Sequence, residues 1–207
     1  MTRVPQSRCG VLLAGGQSTR FGGRPKGLST LGGARLADHA LKALSAACDE
    51  VVVAANAPEA EAWFPGARIV RDDTPGLGAL GALRTALVAG AGRTVIVCAW
   101  DMPFVDATLL STLATAVEAG ASCCVPQHED GRLEPLCAAY GPACAAAVER
   151  LLESGERAAH ALPDAMGGTR WTFESREDDS TSPFFNVNTP AELVIAARRL
   201  TVAQPAP

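Results

Sequence analysis

The chain has 207 residues, 48% of them hydrophobic, and a formal net charge of −4 at neutral pH. That length suits one compact domain with a substantial core, and the acidic balance with scattered basic residues excludes a nucleic-acid partner. No apolar stretch reaches the ~18 residues of a membrane span and none at the N-terminus resembles a signal peptide, so a cytoplasmic protein without a membrane partner is expected.

The apolar run Gly10 to Ala14 is too short for a helix and reads as a buried strand. A loop rich in glycine and basic residues follows, up to Gly27. The stretch ARLADHALKALSAA carries Leu36, Ala40, Ala43, Leu44 and Ala47 at helical spacing, and EVVVAAN and ARIVRDD are β-branched strand signals. LGALGALRTALVAG puts Leu80, Leu83 and Leu87 on one helical face, and RTVIVCAWDMP is the strongest strand of the chain. Asp106 then caps a helix whose Leu109, Leu110, Leu113 and Val117 face one way, with Gly120 closing it.

SCCVPQ and PLCAAYG read as strands, a helix runs from Pro142 to Leu152, and GGTRWTFES is a strand near a sheet edge. Arg176 to Pro183 is polar and reads as a mobile loop. The final helix is marked by Thr189 as its cap, Pro190 in its first turn and Glu192 completing a capping box. Residues 1–201 are expected to form a single domain and 202–207 a flexible tail. The β-α rhythm predicts an α/β fold of three layers, Rossmann-like, with a mainly parallel sheet and helices on both faces. Seven cysteines, an odd number without a C-x-x-C, lie mostly in apolar runs and read as buried free thiols, which fits a reducing compartment.

In an open parallel sheet, ligands sit beyond the carboxyl ends of the strands, where the first glycine-rich loop lies. After its strand, GVLLAGGQSTRFGGRPKG holds five glycines, two arginines and a lysine, more glycine than a turn requires. Lys26 follows Pro25 and precedes Gly27, so the G-x-x-x-x-G-K-[ST] phosphate loop does not fit. Adjacent Gly15 and Gly16, with Pro25 breaking any helix, do not fit the G-x-G-x-x-G dinucleotide fingerprint either. A third design remains: glycine N–H groups curl into an anion-binding concavity while Arg20 and Lys26 supply charge, Arg20 bidentately and Lys26 as a compact point charge. A solvated surface loop is the other reading that the loop alone leaves open.

The stretch LLAGGQSTRFGGRPKG resembles the signature of the nucleotidyltransferases, L-A-G-G-x-S-x-R-[FM]-G-x-x-K, and is most similar to that of the molybdenum cofactor guanylyltransferases. VVVAAN, IVRDD, CAWDMPFV, LEPLCAAY and NVNTPAEL match in the family's order, so the resemblance spans nearly the whole chain. It implies a nucleotidyltransferase fold, with the N-terminal half for the nucleotide and the C-terminal half for the acceptor. It implies GTP and molybdopterin (the molybdenum cofactor) as substrates, Mg²⁺ as cofactor, and a molybdoenzyme apoprotein or chaperone as receiver of the product. The implied reaction is attack of the molybdopterin phosphate on the α-phosphate of GTP, with release of pyrophosphate.

By the same resemblance, Arg20, Lys26 and Asp101 are catalytic, and Asp101, at the end of the strongest strand, holds the metal. Leu13, Ala14, Gly15, Gly16, Ser18, Arg20, Gly22, Lys26, Asn56, Asp72, Gly78 and Asp101 bind the nucleotide, with Gly16 the residue that marks guanine over cytosine. Asp72 or Asp73 is equally open to capping the turn that follows. Asn186 and Asn188 alternate about Val187, so in an extended segment both point one way; they either bind the acceptor or brace the last helix, and the resemblance favours the acceptor. Arg157 is a further positive charge in that half. His39, His128 and His160 read as surface or structural residues, since a phosphate nucleophile needs no general base.

The stretch GALGAL, Gly78 to Leu83, departs from the family's G-P-L-A-G-L, and Ala82 adds a methyl in the segment expected to line the base. Cytidylyl transfer, or transfer to another acceptor such as a sugar phosphate, therefore stays open beside guanylyl transfer. So does a non-catalytic nucleotide-binding protein, although such a protein has little use for a metal carboxylate.

Overall fold

The computed structural model describes residues 7–15, 21, 23, 25–173 and 182–203. Among them, seven strands form one sheet in the order β5-β4-β1-β6-β8-β7-β9. These are β1 (Arg8–Leu13), β4 (Glu50–Ala54), β5 (Arg68–Val70), β6 (Thr94–Ala99), β7 (Cys123–Gln127), β8 (Cys137–Tyr140) and β9 (Thr169–Thr172). β1 pairs in parallel with β4 and β6, and β4 with β5. β8 runs antiparallel to both β6 and β7, and β7 pairs in parallel with β9. The sheet is therefore mainly parallel, with β8 the one reversed strand among these seven.

The reversal carries a functional consequence. The carboxyl ends of β1, β4, β5, β6, β7 and β9 share one edge, and β8 begins at that same edge. The segment leading into β8 therefore lies beside the loops that leave the other strands.

Strands buried on both faces need apolar residues at every position, and β6 is buried throughout. Ile96 and Cys98 point into one core layer together with Leu12, and Val95 and Val97 into the other with Val11. On the first face lie α1 (Leu36–Ala47) and α4 (Ala107–Glu118); on the second lie α3 (Gly78–Gly90) and α5 (Cys144–Glu153). Asp106 caps α4 as expected, its carboxylate accepting the Leu109 N–H at 2.8 Å.

Four short elements escape sequence patterning: a hairpin of β2 (Thr30–Leu31) and β3 (Ala34–Arg35), and the helices α2 (Ala60–Trp63) and α6 (Ala161–Ala165). The last helix, α7 (Pro190–Ala203), runs past residue 202, where a flexible tail was expected, and residues 204–207 lie outside the described residues. Thr189 Oγ1 accepts the Glu192 N–H at 3.2 Å, but the Glu192 carboxylate takes the N–H of Asn188 at 2.7 Å in place of that of Thr189. The capping box is thus shifted by one residue. The polar stretch read as mobile falls largely outside the described residues, at 176–181. All seven cysteines are free, and six are buried. No described helix is long and apolar enough to cross a membrane.

α7 is fastened over the hairpin. Leu31, Leu36, Val187 and Ala196 form a small buried cluster, and the Arg199 guanidinium lies 3.7 Å from the centre of the Phe104 ring. Arg199 also donates to the Ser182 carbonyl at 2.6 Å.

Candidate active site

Asn56, Asp72 and Asp101 each stand two residues beyond a parallel strand, so the topology sets them in a row at the carboxyl edge. β1 ends beside them: Leu13 accepts the Trp100 N–H at 3.3 Å and Ala14 donates to Ala54 at 2.8 Å. Gly15 is exposed, and among the described residues other than its chain neighbours no atom lies within 4 Å of where a Cβ would stand. Gly16, Ser18, Arg20 and Gly22 lie outside the described residues. Gly27, at the far end of the loop, has a packing reason for its identity, since a Cβ there would come within 2.3 Å of the Trp100 indole.

A 3-10 turn over Lys26–Leu28 begins at Lys26, whose side chain reaches Asp101. Lys26 Nζ donates both to Asp101 Oδ2, in a short ion pair, and to Asn188 Oδ1 at 2.6 Å. The Asp101 side chain is 7% exposed and that of Lys26 16%, so this is a largely desolvated charge pair. The strand-like segment before α7 holds the third member: Val187 N–H donates to the Asp101 carbonyl at 2.9 Å. Val187 is fully buried, while Asn186 and Asn188 both face the cleft, as their alternation predicts. Asn186 also donates to the Phe184 carbonyl at 3.2 Å.

Asn56 and Asp72 form a reciprocal pair. Asn56 Nδ2 donates to Asp72 Oδ2 at 2.7 Å, and the Asp72 N–H donates to Asn56 Oδ1 at 2.8 Å. Thr85 Oγ1 on α3 takes the other carboxylate oxygen at 2.5 Å. Asp72 is thereby fixed by three hydrogen bonds to two partners, whereas exposed Asp73 faces Arg84 at 3.8 Å. Gly78 has a φ of +67°, and a Cβ on it would stand 3.1 Å from the Arg157 carbonyl, which also accepts the Leu80 N–H. Ala82 packs against the second core layer, and Ala79 is the residue of this stretch that reaches the cleft. The Arg157 guanidinium turns back onto the carbonyls of Leu152 and Glu156, at 3.1 and 2.6 Å.

The cleft itself has a volume of about 820 Å³ and runs from Lys26 and Asp101 across the ends of β8, β7 and β9. Lys26, Asp101, Asn186 and Asn188 line its near end; Leu13, Ala14, Gly15, Asn56, Asp72 and Gly78 lie outside its walls. Its far end is built from residues that the sequence reading missed, including Gln127, Arg132, Glu134 and Arg170. Of these, only Glu134 fell inside a family match, LEPLCAAY, and there without a role. His160 lines this end too, His128 is buried beside Glu134, and His39 Nε2 meets the Leu31 carbonyl at 3.0 Å.

Among the described residues, no three His, Cys, Asp or Glu side chains gather as a metal cage. A cation at Asp101 would take one protein carboxylate and complete its shell with substrate oxygens and water, a donor set that suits Mg²⁺. The lysine ammonium already on that carboxylate shows that the position accommodates positive charge.

Residues 10–167 match the model of the MobA-like NTP transferase domain. A molybdenum cofactor guanylyltransferase of Desulfosudis oleivorans is 30% identical over 188 residues, covering 89% of this chain and 91% of that one. A probable molybdenum cofactor guanylyltransferase of Mycobacterium tuberculosis is 37% identical over 190 residues, covering 89% and 90%. The crystal structure of molybdopterin-guanine dinucleotide biosynthesis protein A from Archaeoglobus fulgidus superposes with a TM-score of 0.78 at 26% identity, covering 94% of this chain and 99% of that one.

Proposed function

The chain belongs to the MobA-like NTP transferase family of nucleotidyltransferases, and within it we propose that this protein transfers GMP from GTP to molybdopterin with release of pyrophosphate. The observation that carries this reading is the meeting of Lys26, Asp101 and Asn188, from three distant parts of the chain, at one point of the cleft. That point separates a nucleotide side, around Leu13, Ala14, Gly15, Asn56 and Asp72, from an acceptor side beyond Asn186 and Asn188. A phosphoryl group arriving from each side meets its partner there, and positioning of this kind supplies much of the rate of such displacements.

The segment Leu13 to Gly15 offers backbone groups to the guanine edge, and Asp72, held by Asn56 and Thr85, presents a fixed carboxylate to the nucleotide. Gly16, Ser18, Arg20 and Gly22 wrap the triphosphate. Lys26 exchanges Asp101 for phosphate oxygens when the nucleotide binds and stabilises the charge that grows in the transition state. Arg20 holds the leaving pyrophosphate. Asn186 and Asn188 hold the acceptor phosphate, which is ionised at neutral pH and needs no base. Asp101 would hold Mg²⁺, which would supply polarisation and charge neutralisation at the transferred phosphate. The product then passes to a molybdoenzyme apoprotein or chaperone in the cytoplasm.

The test is pyrophosphate release with Mg²⁺ and molybdopterin, comparing GTP, CTP, ATP and UTP. Turnover with GTP alone is expected. Turnover with CTP would reassign the base, and none with any of the four would overturn the proposed transfer.

A further inference from the structure

The far end of the cleft is occupied by two arginines, each pinned by its own carboxylate. Arg132 donates through Nη1 to Glu134 Oε1 at 2.5 Å and through Nη2 to His128 Nδ1 at 3.2 Å. A guanidinium only donates, so His128 Nδ1 is the acceptor, and the ring proton lies on Nε2, where it is given to Glu134 Oε1 at 2.7 Å. His128 and Glu134 are each 6% exposed, and the His128 ring meets Phe173 and Phe184 in T-shaped contacts. Burying a carboxylate and an imidazole is costly unless both are bonded, and a solvated turn would close the same hairpin without them. What this buried pair achieves is to hold one half-exposed guanidinium in a fixed plane at the cleft wall.

Arg170, on β9, is ion-paired with Asp164 through Nη2, while its Nη1 is buried with no hydrogen-bond partner among the described residues. Such orphan donors are rare in folded proteins and call for an explanation. Arg170 is in register with Val125 of β7, and Leu133 bridges Gln127 from the other side of that strand. Both arginines line the cleft, Arg170 level with Val125 on the β9 side of β7 and Arg132 level with His128 on the other side. The same cleft wall includes the apolar side chains of Leu133, Pro135, Ala158 and Ala159.

We propose that Arg132 and Arg170 select the acceptor: a phosphomonoester whose body is a flat ring system ending in a second anionic group, in preference to a neutral sugar phosphate. Planar guanidinium forks bind anionic edges bidentately and stack on ring faces, and neither interaction has a counterpart on a neutral sugar. His128 and Glu134 act through Arg132 as positioning residues. The proposal rests on the nucleotidyl-transfer reading, with molybdopterin as the acceptor of matching chemistry.

The experiment measures equilibrium binding of molybdopterin and of glucose 1-phosphate, together with KM for GTP and for acceptor. It is run on the full chain and on Arg132→Ala, Arg132→Lys, Arg170→Ala and Glu134→Gln, with thermal melting to verify folding. Wild-type protein is expected to prefer molybdopterin to glucose 1-phosphate. Arg132→Ala and Arg170→Ala should each weaken molybdopterin binding about tenfold, or about 1.4 kcal/mol, without moving KM for GTP. Arg132→Lys, which keeps the charge but loses the fork, should fall between, and Glu134→Gln should raise the acceptor KM alone. Unchanged molybdopterin binding in both alanine variants, or no wild-type preference over glucose 1-phosphate, would overturn the proposal. Arginine-dependent molybdopterin binding without pyrophosphate release would support it while overturning the transfer reading.

Discussion

Lys26→Ala isolates the charge pair at the centre of the cleft. The substitution removes the cation from a carboxylate whose side chain is 7% exposed and removes the donor to Asn188 Oδ1. Breaking a buried pair by deleting one partner costs about 3–5 kcal/mol, and the 16% exposure of Lys26 puts this case near about 3. With a urea m-value of about 2–3 kcal/mol/M, the unfolding midpoint should fall by roughly 1–1.5 M in magnesium-free buffer. Asp101→Asn in the same background should recover part of the loss, because the double variant leaves no uncompensated charge; the cycle should give a coupling of about 1.5 kcal/mol or more. Adding Mg²⁺ should raise the midpoint of Lys26→Ala more than that of the wild type, since only in the variant is that side of Asp101 clear of an ammonium. Turnover should drop by about 10²–10³-fold while the fold persists. An unchanged urea midpoint, or strict additivity of the two substitutions, would refute the view that Lys26 and Asp101 are an energetically coupled buried pair.

Gly27→Ala should destabilise by about 1–3 kcal/mol in urea unfolding, because the new methyl meets the buried Trp100 indole at 2.3 Å. It should also lower turnover, since Lys26 rides on the same turn. Asp106→Ala should cost about 1 kcal/mol by loss of the α4 cap, measured by chemical denaturation, with activity kept because the cap lies outside the cleft lining. Burial raises the Cys48 thiol to about 12 and the Cys124 thiol to about 11, so at pH 8 both are protonated in the native state. Iodoacetamide should therefore modify these two slowly in folded protein and fast in urea, which mass spectrometry of the labelled peptides would resolve.

What the sequence determined by itself is local. The apolar continuity of β1 and β6, the 3.6-residue spacing of α1, α3 and α4, and the Asp106 cap all follow from neighbours a few residues apart. Family resemblance added Lys26, Asp101, Asn186 and Asn188, and these are the expected site residues that line the cleft. Even local patterns were offset where tertiary contacts intervened. The Glu192 carboxylate moved to the Asn188 N–H, in the segment that Val187 ties to Asp101, and α7 continued to Ala203. Gly27 belonged to a conspicuous glycine run, but its neighbour Trp100 lies 73 positions along the chain, so its packing role was invisible.

The tertiary structure alone decided which edges meet. Lys26 reaches Asp101 across 75 positions and Asn188 across 162, distances over which no periodicity carries information. The reversal of β8 brought the segment 132–136 to the carboxyl edge, and with it Arg132. His128, Arg132 and Glu134 sit within seven residues and look in sequence like an ordinary polar turn. The rings of Phe173 and Phe184 cover His128, and Glu134 is buried beside it, because burial is a property of what packs over a residue and not of the residue itself.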